Sequence, residues 1–305
     1  MDKYPQLTDL PTNFTAERVK MICCDIDGTT LDPSHQVTPY TLETFRLVLA
    51  LRPDLAIIFA TGRSRVSASY LKASLAELGH SLGIYLNGSL CGLEDGDSTH
   101  EMKGFRPVRE APIPPIEAGW YLRWAVYNNR PVVLYNYDKI LTSHECETFL
   151  ITQAGYVHEP YPEKRRAEEL MADVESGSIV VHKLSFMSPS SELDQTFLDL
   201  NSAPTRPTNT ILVRTELLRL EVMHYSATKA TAIRALAESV AKCTMDEVIA
   251  FGDGANDVEM ISEVGMGVAM GNGVAVVKTG AKYVAPSNGM DGLARTLRAI
   301  FGIAP

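Results

Sequence analysis

Two aspartates, Asp25 and Asp27, end an apolar run and are followed at once by Gly-Thr-Thr in the stretch MICCDIDGTTLD. Carboxylates at this spacing suit three kinds of site: a calcium loop, a solvated turn after a strand, or a reactive carboxylate beside a metal ion. An EF-hand calcium loop needs Gly at its sixth position and Glu at its twelfth. Counted from Asp25, these positions hold Thr30 and Gln36, which excludes the calcium loop. The solvated turn stays open on this motif alone.

Polar residues also follow two other apolar runs that have the length of strands. Thr61 and Gly62 follow the run LAIIFA, and Asp253, Asn256 and Asp257 follow the run EVIAF. The carboxyl ends of parallel strands meet at one edge of a sheet, where ligands bind, so we expect these groups to converge. Lys229 lies in the first turn of a predicted helix shortly before this last strand.

The predicted cluster has the donors and acceptors of a phosphoryl-transfer site. Four carboxylates at one place would repel each other unless a cation lay between them. Oxygen ligands without thiol or imidazole favour Mg²⁺, which usually binds through a few carboxylates together with a substrate phosphate. Phosphoryl oxygens could accept hydrogen bonds from four groups: Thr61, the Gly62 N–H, Lys229 and Asn256. One of the carboxylates could then attack the phosphorus.

The elements that must position these residues alternate between strands and helices at both ends of the chain. Such alternation predicts a doubly wound parallel sheet. The predicted strands of this sheet span 19–24, 55–60, 83–88, 247–253, 264–270 and 281–287. One predicted helix begins at Pro39, and three others span 66–78, 232–240 and 292–301.

The middle of the chain mixes strand pairs with helices after a proline-rich stretch at 111–119. The predicted strands there are 130–136, 178–187, 210–215 and 217–223, and the predicted helices are 120–128, 146–154, 165–174 and 191–201. This pattern is typical of a separate α+β domain. We therefore predict one core domain from 1–88 and 224–305, interrupted by an inserted domain at 89–223.

Composition excludes several other classes of protein. The 305 residues carry a formal net charge of -9, which disfavours binding to a nucleic-acid backbone. No apolar run approaches the roughly 20 residues of a membrane span, and the N-terminus lacks the apolar segment of a signal peptide. The five cysteines form no C-x-x-C pair and are expected to be reduced thiols. We expect a cytoplasmic protein without membrane or nucleic-acid partners, a monomer or weak homodimer.

Four stretches together resemble the motifs of the haloacid dehalogenase superfamily: DIDGTTLD, the strand ending in ATGR, the helix with Lys229, and GDGANDVEM. Their order and spacing are similar to that family across nearly the whole chain. YLNGS, GVAMGN and SNGMDGLA resemble the Cof-type (subfamily IIB) phosphatases. The resemblance implies a Rossmann-like core with a C2-type α+β cap inserted between the second and third motifs.

The resemblance also implies a role for each motif residue. Asp25 would attack phosphorus to form an aspartyl-phosphate, and Asp27 would act as general acid and then as general base. Mg²⁺ would be held by Asp25, the backbone carbonyl of Asp27, Asp253 and Asp257. Thr61, Gly62, Lys229 and Asn256 would position the transferring group. The implied activity is hydrolysis of small phosphorylated metabolites, sugar phosphates in particular.

Two alternatives stay open on the sequence. A phosphotransferase of the phosphomannomutase type would share the core and pass the phosphoryl group to a second sugar hydroxyl. A binding or regulatory protein would keep the fold without turnover, although a pure binder has no need of an acid or base beside a nucleophile.

Overall fold

The computed structural model describes residues 15–71, 81–94, 104–145, 159–215 and 219–304. Its contacts divide the chain into two compact units. The core unit comprises Met1–Gly62, Leu71–Arg109 and Thr228–Pro305, and the inserted unit comprises Arg63–Tyr70 and Glu110–Ala227. Among the described residues, none of the helices combines the length and the apolar character needed to cross a membrane.

The strands of the described ranges are numbered in chain order. They are β1 Met21–Asp25, β2 Ala56–Ala60, β3 Ser81–Tyr85, β4 Leu90–Glu94, β5 Arg106–Glu110, β6 Val132–Asn136, β7 Lys139–Thr142, β8 Glu163–Lys164, β9 Lys183–Met187, β10 Thr210–Arg214, β11 Arg219–His224, β12 Val248–Gly252, β13 Met266–Ala269 and β14 Tyr283–Val284.

The α-helices are numbered in the same way, and short 3₁₀ and π turns join several of the elements. They are α1 Pro39–Leu51, α2 Pro115–Tyr127, α3 Ala167–Glu175, α4 Ser190–Ser202, α5 Lys229–Leu236, α6 Val258–Glu263, α7 Ala275–Gly280 and α8 Gly292–Ile300.

The core unit is built on an eight-stranded sheet of order β14-β13-β12-β1-β2-β3-β4-β5. Successive neighbours from β14 to β3 are parallel, and β4 returns antiparallel to β3. The predicted α/β class is therefore confirmed. Strand β1 lies between β12 and β2, with Asp25 paired to Ala60 and Cys24 to Phe251. This register brings three of the predicted polar strand ends to one edge of the sheet.

Both faces of this sheet are covered by helices, which is why β1 is apolar up to its last residue. Met21 and Cys23 belong to the hydrophobic cluster that includes residues of α5 and α6. Ile22 and Cys24 belong to the opposite cluster, with residues of α1 and α8. Burial raises the pKa of both thiols, so the two cysteines act as packing groups rather than nucleophiles.

The inserted unit has its own six-stranded sheet of order β10-β11-β9-β6-β7-β8. Helices α2, α3 and α4 cover the face that carries Leu134, Leu184 and Phe186. Side chains of strands alternate between faces, so Lys183 and Glu221 belong to the opposite face. Lys183 Nζ donates to Glu221 Oε1 over 2.7 Å and lies 4.5 Å from the centre of the Tyr135 ring. The unit has the α+β composition expected from the sequence.

The structure differs from the predicted elements at particular places. Residues 89–109 group with the core unit because β4 and β5 extend its sheet, whereas the sequence assigned them to the inserted domain. Helix α2 begins at Pro115 rather than at 120, because a proline fits the first helical turn, where no intrahelical N–H is needed. The predicted helix at 66–78 contains a 3₁₀ turn, Ser67–Tyr70. Its remainder after 71, and the predicted helix at 146–154, lie outside the described residues.

The buried ion pair of the inserted unit should be costly to break. We expect Lys183→Met to lower the free energy of unfolding by roughly 3 kcal/mol, because it leaves the Glu221 carboxylate buried without its ammonium. Adding Glu221→Leu should recover much of this loss. Chemical denaturation of the two variants measures both values.

A surface pair is the control for this comparison. Glu169 pairs with Arg166 across one helical turn, and both side chains are exposed. Glu169→Gln should change the unfolding free energy by no more than about 0.5 kcal/mol. Equal effects of Lys183→Met and Glu169→Gln would contradict the assigned importance of the buried pair.

Candidate active site

Three of the predicted carboxylates converge at the carboxyl edge of the core sheet. Oxygen atoms of Asp25, Asp253 and Asp257 all lie within 4.8 Å of one another. Asp25 is the last residue of β1, and Asp253 directly follows β12. Asp257 closes a single 3₁₀ turn, where its Oδ2 accepts hydrogen bonds from the N–H groups of Asp253 and Gly254, both over 2.9 Å.

Lys229 supplies a cation to this cluster from the first position of α5. Its Nζ donates to Asp25 Oδ1 over 2.5 Å and to Asp257 Oδ1 over 2.7 Å. Thr228 caps the helix by accepting a hydrogen bond from the Thr231 N–H. Gly88, at φ +98°, approaches Thr228 so closely that an added Cβ would lie 2.1 Å from its carbonyl oxygen. The turn after β3 can therefore pack directly on the start of α5.

Burial and mutual repulsion dominate the electrostatics of the cluster. Burial, followed by the charge of Asp257, raises the pKa of Asp25 well above its usual range, and the Lys229 ammonium opposes this shift. The same two causes raise the pKa of Asp253 to about 6. Burial disfavours the ammonium of Lys229, but Asp25 and Asp257 outweigh it and raise the pKa, so Lys229 remains a cation.

The cluster fits a divalent cation. When all three carboxylates are ionised, as ligands of a metal ion are, the single ammonium leaves a surplus of two negative charges in a largely buried place. Asp25 Oδ2 is buried and has no hydrogen-bond partner among the described residues, an expensive condition for a carboxylate oxygen. A hard cation with oxygen ligands would both bind this oxygen and offset the surplus charge. Asp25, Asp253 and Asp257 are the side chains that could hold it.

The loop after β1 is shaped to keep Asp25 and Asp253 together. Gly28 has φ +78°, and an added Cβ would lie 2.2 Å from Asp253 Oδ2, so this position requires glycine. Thr30 Oγ1 donates to the carbonyl of Asp25 over 2.6 Å. Asn272 Nδ2 donates both to the Gly28 carbonyl, over 2.8 Å, and to Asp253 Oδ2, over 3.2 Å.

Asp27 stands apart from the acidic cluster. Its side chain is 36% exposed, and its Oδ1 lies 4.0 Å from His35 Nδ1. The predicted contribution of Asp27 to a metal site was its backbone carbonyl, which does not require the side chain to join the cluster. The motif thus combines one buried carboxylate with one that is partly exposed to solvent.

The predicted phosphate donors form a second group that an additional residue holds together. Asn256 Nδ2 donates to Asn87 Oδ1 over 2.9 Å, and the Asn87 N–H donates to the Thr61 carbonyl over 3.0 Å. An added Cβ on Gly62 would lie 2.9 Å from Asn87 Oδ1. Asn87 adopts φ +57°, a conformation that asparagine tolerates better than most residues. The sequence reading did not assign Asn87 to the site, although it lies in the YLNGS motif.

Two further asparagines, Asn272 and Asn288, order the neighbouring loops. Asn288 Nδ2 donates to the Leu31 carbonyl over 2.8 Å, and the Asn288 N–H donates to Asn272 Oδ1 over 2.9 Å. Together with the contact of Asn272 to Gly28, these bonds connect the loops after β1, β13 and β14. They fix backbone rather than present reactive groups.

The raised pKa of Asp253 predicts opposite effects of pH with and without a divalent cation. Its folded value of about 6 lies above the ordinary 3.8, so the metal-free fold gains stability as pH falls through 6. A bound cation needs the ionised carboxylate and must displace that proton. We expect the rise in melting temperature caused by millimolar Mg²⁺ to be large at pH 7.5 and to vanish near pH 5.

Differential scanning fluorimetry over this pH range, with Asp253→Asn as the control, measures the effect. The variant has no proton to displace at this position, so the part of the pH dependence that Asp253 causes should disappear, while the part that Asp25 causes should remain. The same Mg²⁺-induced shift at pH 5 and at pH 7.5 in the wild type would contradict this role of Asp253.

Comparison with known proteins gives a match to one family model and to proteins named as phosphatases. The family model for haloacid dehalogenase-like hydrolases matches residues 22–297. The chain is 28% identical to the 5-amino-6-(5-phospho-D-ribitylamino)uracil phosphatase YcsE of Bacillus subtilis, over 92% of this chain and 95% of that protein. A putative phosphatase of Haemophilus influenzae is 50% identical, but the match covers only 27% of this chain and 31% of that protein.

A solved structure reproduces the fold over nearly the whole chain. The subclass IIB sugar phosphatase BT4131 superposes with a TM-score of 0.73 and 22% identity, over 94% of this chain and 100% of that one. At this identity, the similarity establishes the α/β core with its cap. The family match over nearly the whole chain shows that this chain belongs to the haloacid dehalogenase-like hydrolases.

Proposed function

We propose that the protein is a Mg²⁺-dependent phosphatase that hydrolyses phosphomonoesters of small metabolites through an aspartyl-phosphate on Asp25. The environment of Asp25 carries this proposal. One of its oxygens is held by Lys229, and the other is buried without a hydrogen-bond partner among the described residues. A carboxylate in this condition is oriented, poorly solvated and ready to act as a nucleophile or ligand.

In the first step, a carboxylate oxygen of Asp25 forms a bond to phosphorus while the bond from phosphorus to the ester oxygen breaks. Asp27 gives its proton to the departing alcohol. In the second step, Asp27 takes a proton from water, whose oxygen attacks phosphorus. The bond between phosphorus and Asp25 breaks, which releases inorganic phosphate and restores Asp25. The exposure of Asp27 suits this exchange of protons with alcohol and water.

The remaining residues position and neutralise the transferring group. Lys229 offers a permanent positive charge, while Thr61, the Gly62 N–H and Asn256 can donate to phosphoryl oxygens. Mg²⁺ would be held by Asp25, Asp253, Asp257 and the backbone carbonyl of Asp27. When bound, it supplies charge that offsets both the carboxylates and the substrate phosphate.

The proposed substrate class is small phosphorylated metabolites, with sugar phosphates as the first candidates. The names of the two proteins described above, a sugar phosphatase and a phosphatase of a phosphorylated ribitylamino compound, support this class. The net charge of -9 argues against nucleic-acid substrates.

Phosphate release from a panel of sugar phosphates, other phosphorylated metabolites and an aryl phosphate tests the proposal. We expect release in Mg²⁺ that stops when a chelator is added. Asp25→Asn should lower kcat by a factor of about 10³ or more, because it removes the nucleophile while keeping the shape of the side chain.

Asp32→Asn is the matched control, because Asp32 lies in the same segment and accepts hydrogen bonds from Ser34 and Gln36 at a surface turn. This variant should retain most of the wild-type activity. Absence of release from every compound by a folded wild type would overturn the phosphatase proposal. A requirement for a bisphosphate activator would indicate a phosphomutase instead.

A further inference from the structure

The loop that joins β13 to α7 is anchored on the end of β12, and all of these elements belong to the core unit. The Met270 N–H donates to the Gly252 carbonyl, and the Val274 N–H donates to the Asp253 carbonyl, each over 2.9 Å. These two bonds lie on either side of Asn272 in the loop. The backbone that carries Asn272 is therefore fixed relative to the residue that carries the Asp253 carboxylate.

The Asn272 amide has a defined orientation. Its Oδ1 accepts from the Asn288 N–H over 2.9 Å, and its Nδ2 donates to the Gly28 carbonyl over 2.8 Å and to Asp253 Oδ2 over 3.2 Å. A backbone N–H can only donate, so Asn288 requires the oxygen of the amide on its side. The two protons of Nδ2 are thereby directed at Gly28 and Asp253.

Packing does not explain why the Asn272 amide makes these contacts, because the residue is exposed. An exposed amide can satisfy its hydrogen bonds with water, yet this one is directed at protein groups on two other loops. Replacing an exposed side chain leaves no cavity in the core. We therefore expect Asn272→Ala to fold, which makes the role of the amide testable.

The Asp253 carboxylate is held from both of its oxygens within the core unit. Asn272 donates to Oδ2, and Thr29 Oγ1 donates to Oδ1 over 3.4 Å. A carboxylate oxygen that accepts one hydrogen bond keeps a further lone pair for a cation. The two donors can therefore fix the rotation of the carboxylate without competing for its place as a ligand.

A fixed carboxylate matters more for Mg²⁺ than for Ca²⁺. Mg²⁺ requires nearly ideal octahedral geometry at about 2.1 Å, whereas Ca²⁺ accepts six to eight oxygens at roughly 2.3–2.6 Å in flexible arrangements. Groups that orient a ligand from behind commonly change metal affinity by about 10- to 100-fold. An oriented Asp253 therefore favours the smaller ion.

From these contacts we propose that Asn272 is a positioning residue for the divalent cation, which fixes the Asp253 carboxylate in an orientation that favours Mg²⁺ over Ca²⁺. This inference rests on the proposed function, because it assumes the cation site of Asp25, Asp253 and Asp257. Asn272 acts through Asp253 and is not required to touch the cation or the substrate.

Calorimetric titration of the metal-free 305-residue chain with Mg²⁺ and, separately, with Ca²⁺ at pH 7.5 tests the inference. Asn272→Ala should weaken Mg²⁺ binding by about tenfold. It should weaken Ca²⁺ binding by no more than about threefold, since Ca²⁺ tolerates a less exact geometry. The ratio of the two dissociation constants is the deciding value, because a general loosening of the fold would weaken both ions alike.

Asn288→Ala is the matched control. It removes the bond from Asn288 Nδ2 to the Leu31 carbonyl, but it keeps the backbone N–H that holds Asn272 Oδ1. Both cation affinities should stay within about twofold of wild type, because Asp253 keeps its donor. Thr29→Val is a second test variant, which removes the longer bond to Asp253 and should shift the Mg²⁺ to Ca²⁺ ratio in the same direction by a smaller factor.

Three results would overturn the inference. They are unchanged affinities in Asn272→Ala, an equal loss for both cations in that variant, and an equally large loss in Asn288→Ala, which would assign the effect to the loops alone. A wild type that binds neither cation would overturn it together with the cation site. Failure of the proposed hydrolysis is distinguishable, because a wild type that binds Mg²⁺ but releases no phosphate still allows the cation ratio to be measured.

Discussion

The burial of three carboxylates around a single ammonium is the constraint on which the core unit depends. Asp25, Asp253 and Asp257 would repel each other in a place that water reaches poorly, and Lys229 offsets only part of their charge. The fold maintains this arrangement by distributing the four groups over two central strands, a single turn and the start of a capped helix. The surplus negative charge that remains is what prepares the site for a cation and a phosphate.

Much of the surrounding sequence can be understood as the support this cluster requires. Strands β1 and β12 are packed on both faces, so their carboxyl ends cannot easily shift against each other. Gly28 and Gly88 provide the close approaches that place a loop against Asp253 and a turn against Thr228. Asn87, Asn272 and Asn288 bind backbone groups and hold the loops around the cluster. Asn87 and Asn272 also contact side chains of the site, Asn256 and Asp253 respectively.

The inserted unit uses buried charge in a different way. Lys183 pairs with Glu221, and Arg219 pairs with Glu159, so that each of these two buried cations has an adjacent anion. Replacing such a pair by well-packed apolar residues is often neutral for stability, whereas removing one partner is strongly destabilising. The buried guanidinium of Arg65 is paired in the same way with the carboxylate of Asp138. Each of these buried ion pairs is neutral as a pair, whereas the carboxylates of the active site outnumber its single ammonium.

The sequence by itself determined the α/β class, the strand ends that carry polar groups and the residues of the four motifs. Apolar runs of strand length and helix caps are local properties, so spacing along the chain is enough to read them. The sequence also indicated a bound cation, because four carboxylates predicted to converge would repel each other unless a cation lay between them. The predicted cap boundary differed because nothing local signals that β4 turns back along β3 to extend the core sheet.

Only the tertiary structure decided which residues meet across long separations. The pairing of Asn87 with Asn256 and of Arg65 with Asp138 joins residues that are 169 and 73 positions apart. Such contacts depend on sheet register and on the backbone angles of single turn residues, neither of which has a periodic signature. The tertiary structure also separated Asp25 from Asp27, since the turn after β1 buries one carboxylate and leaves the other in contact with solvent.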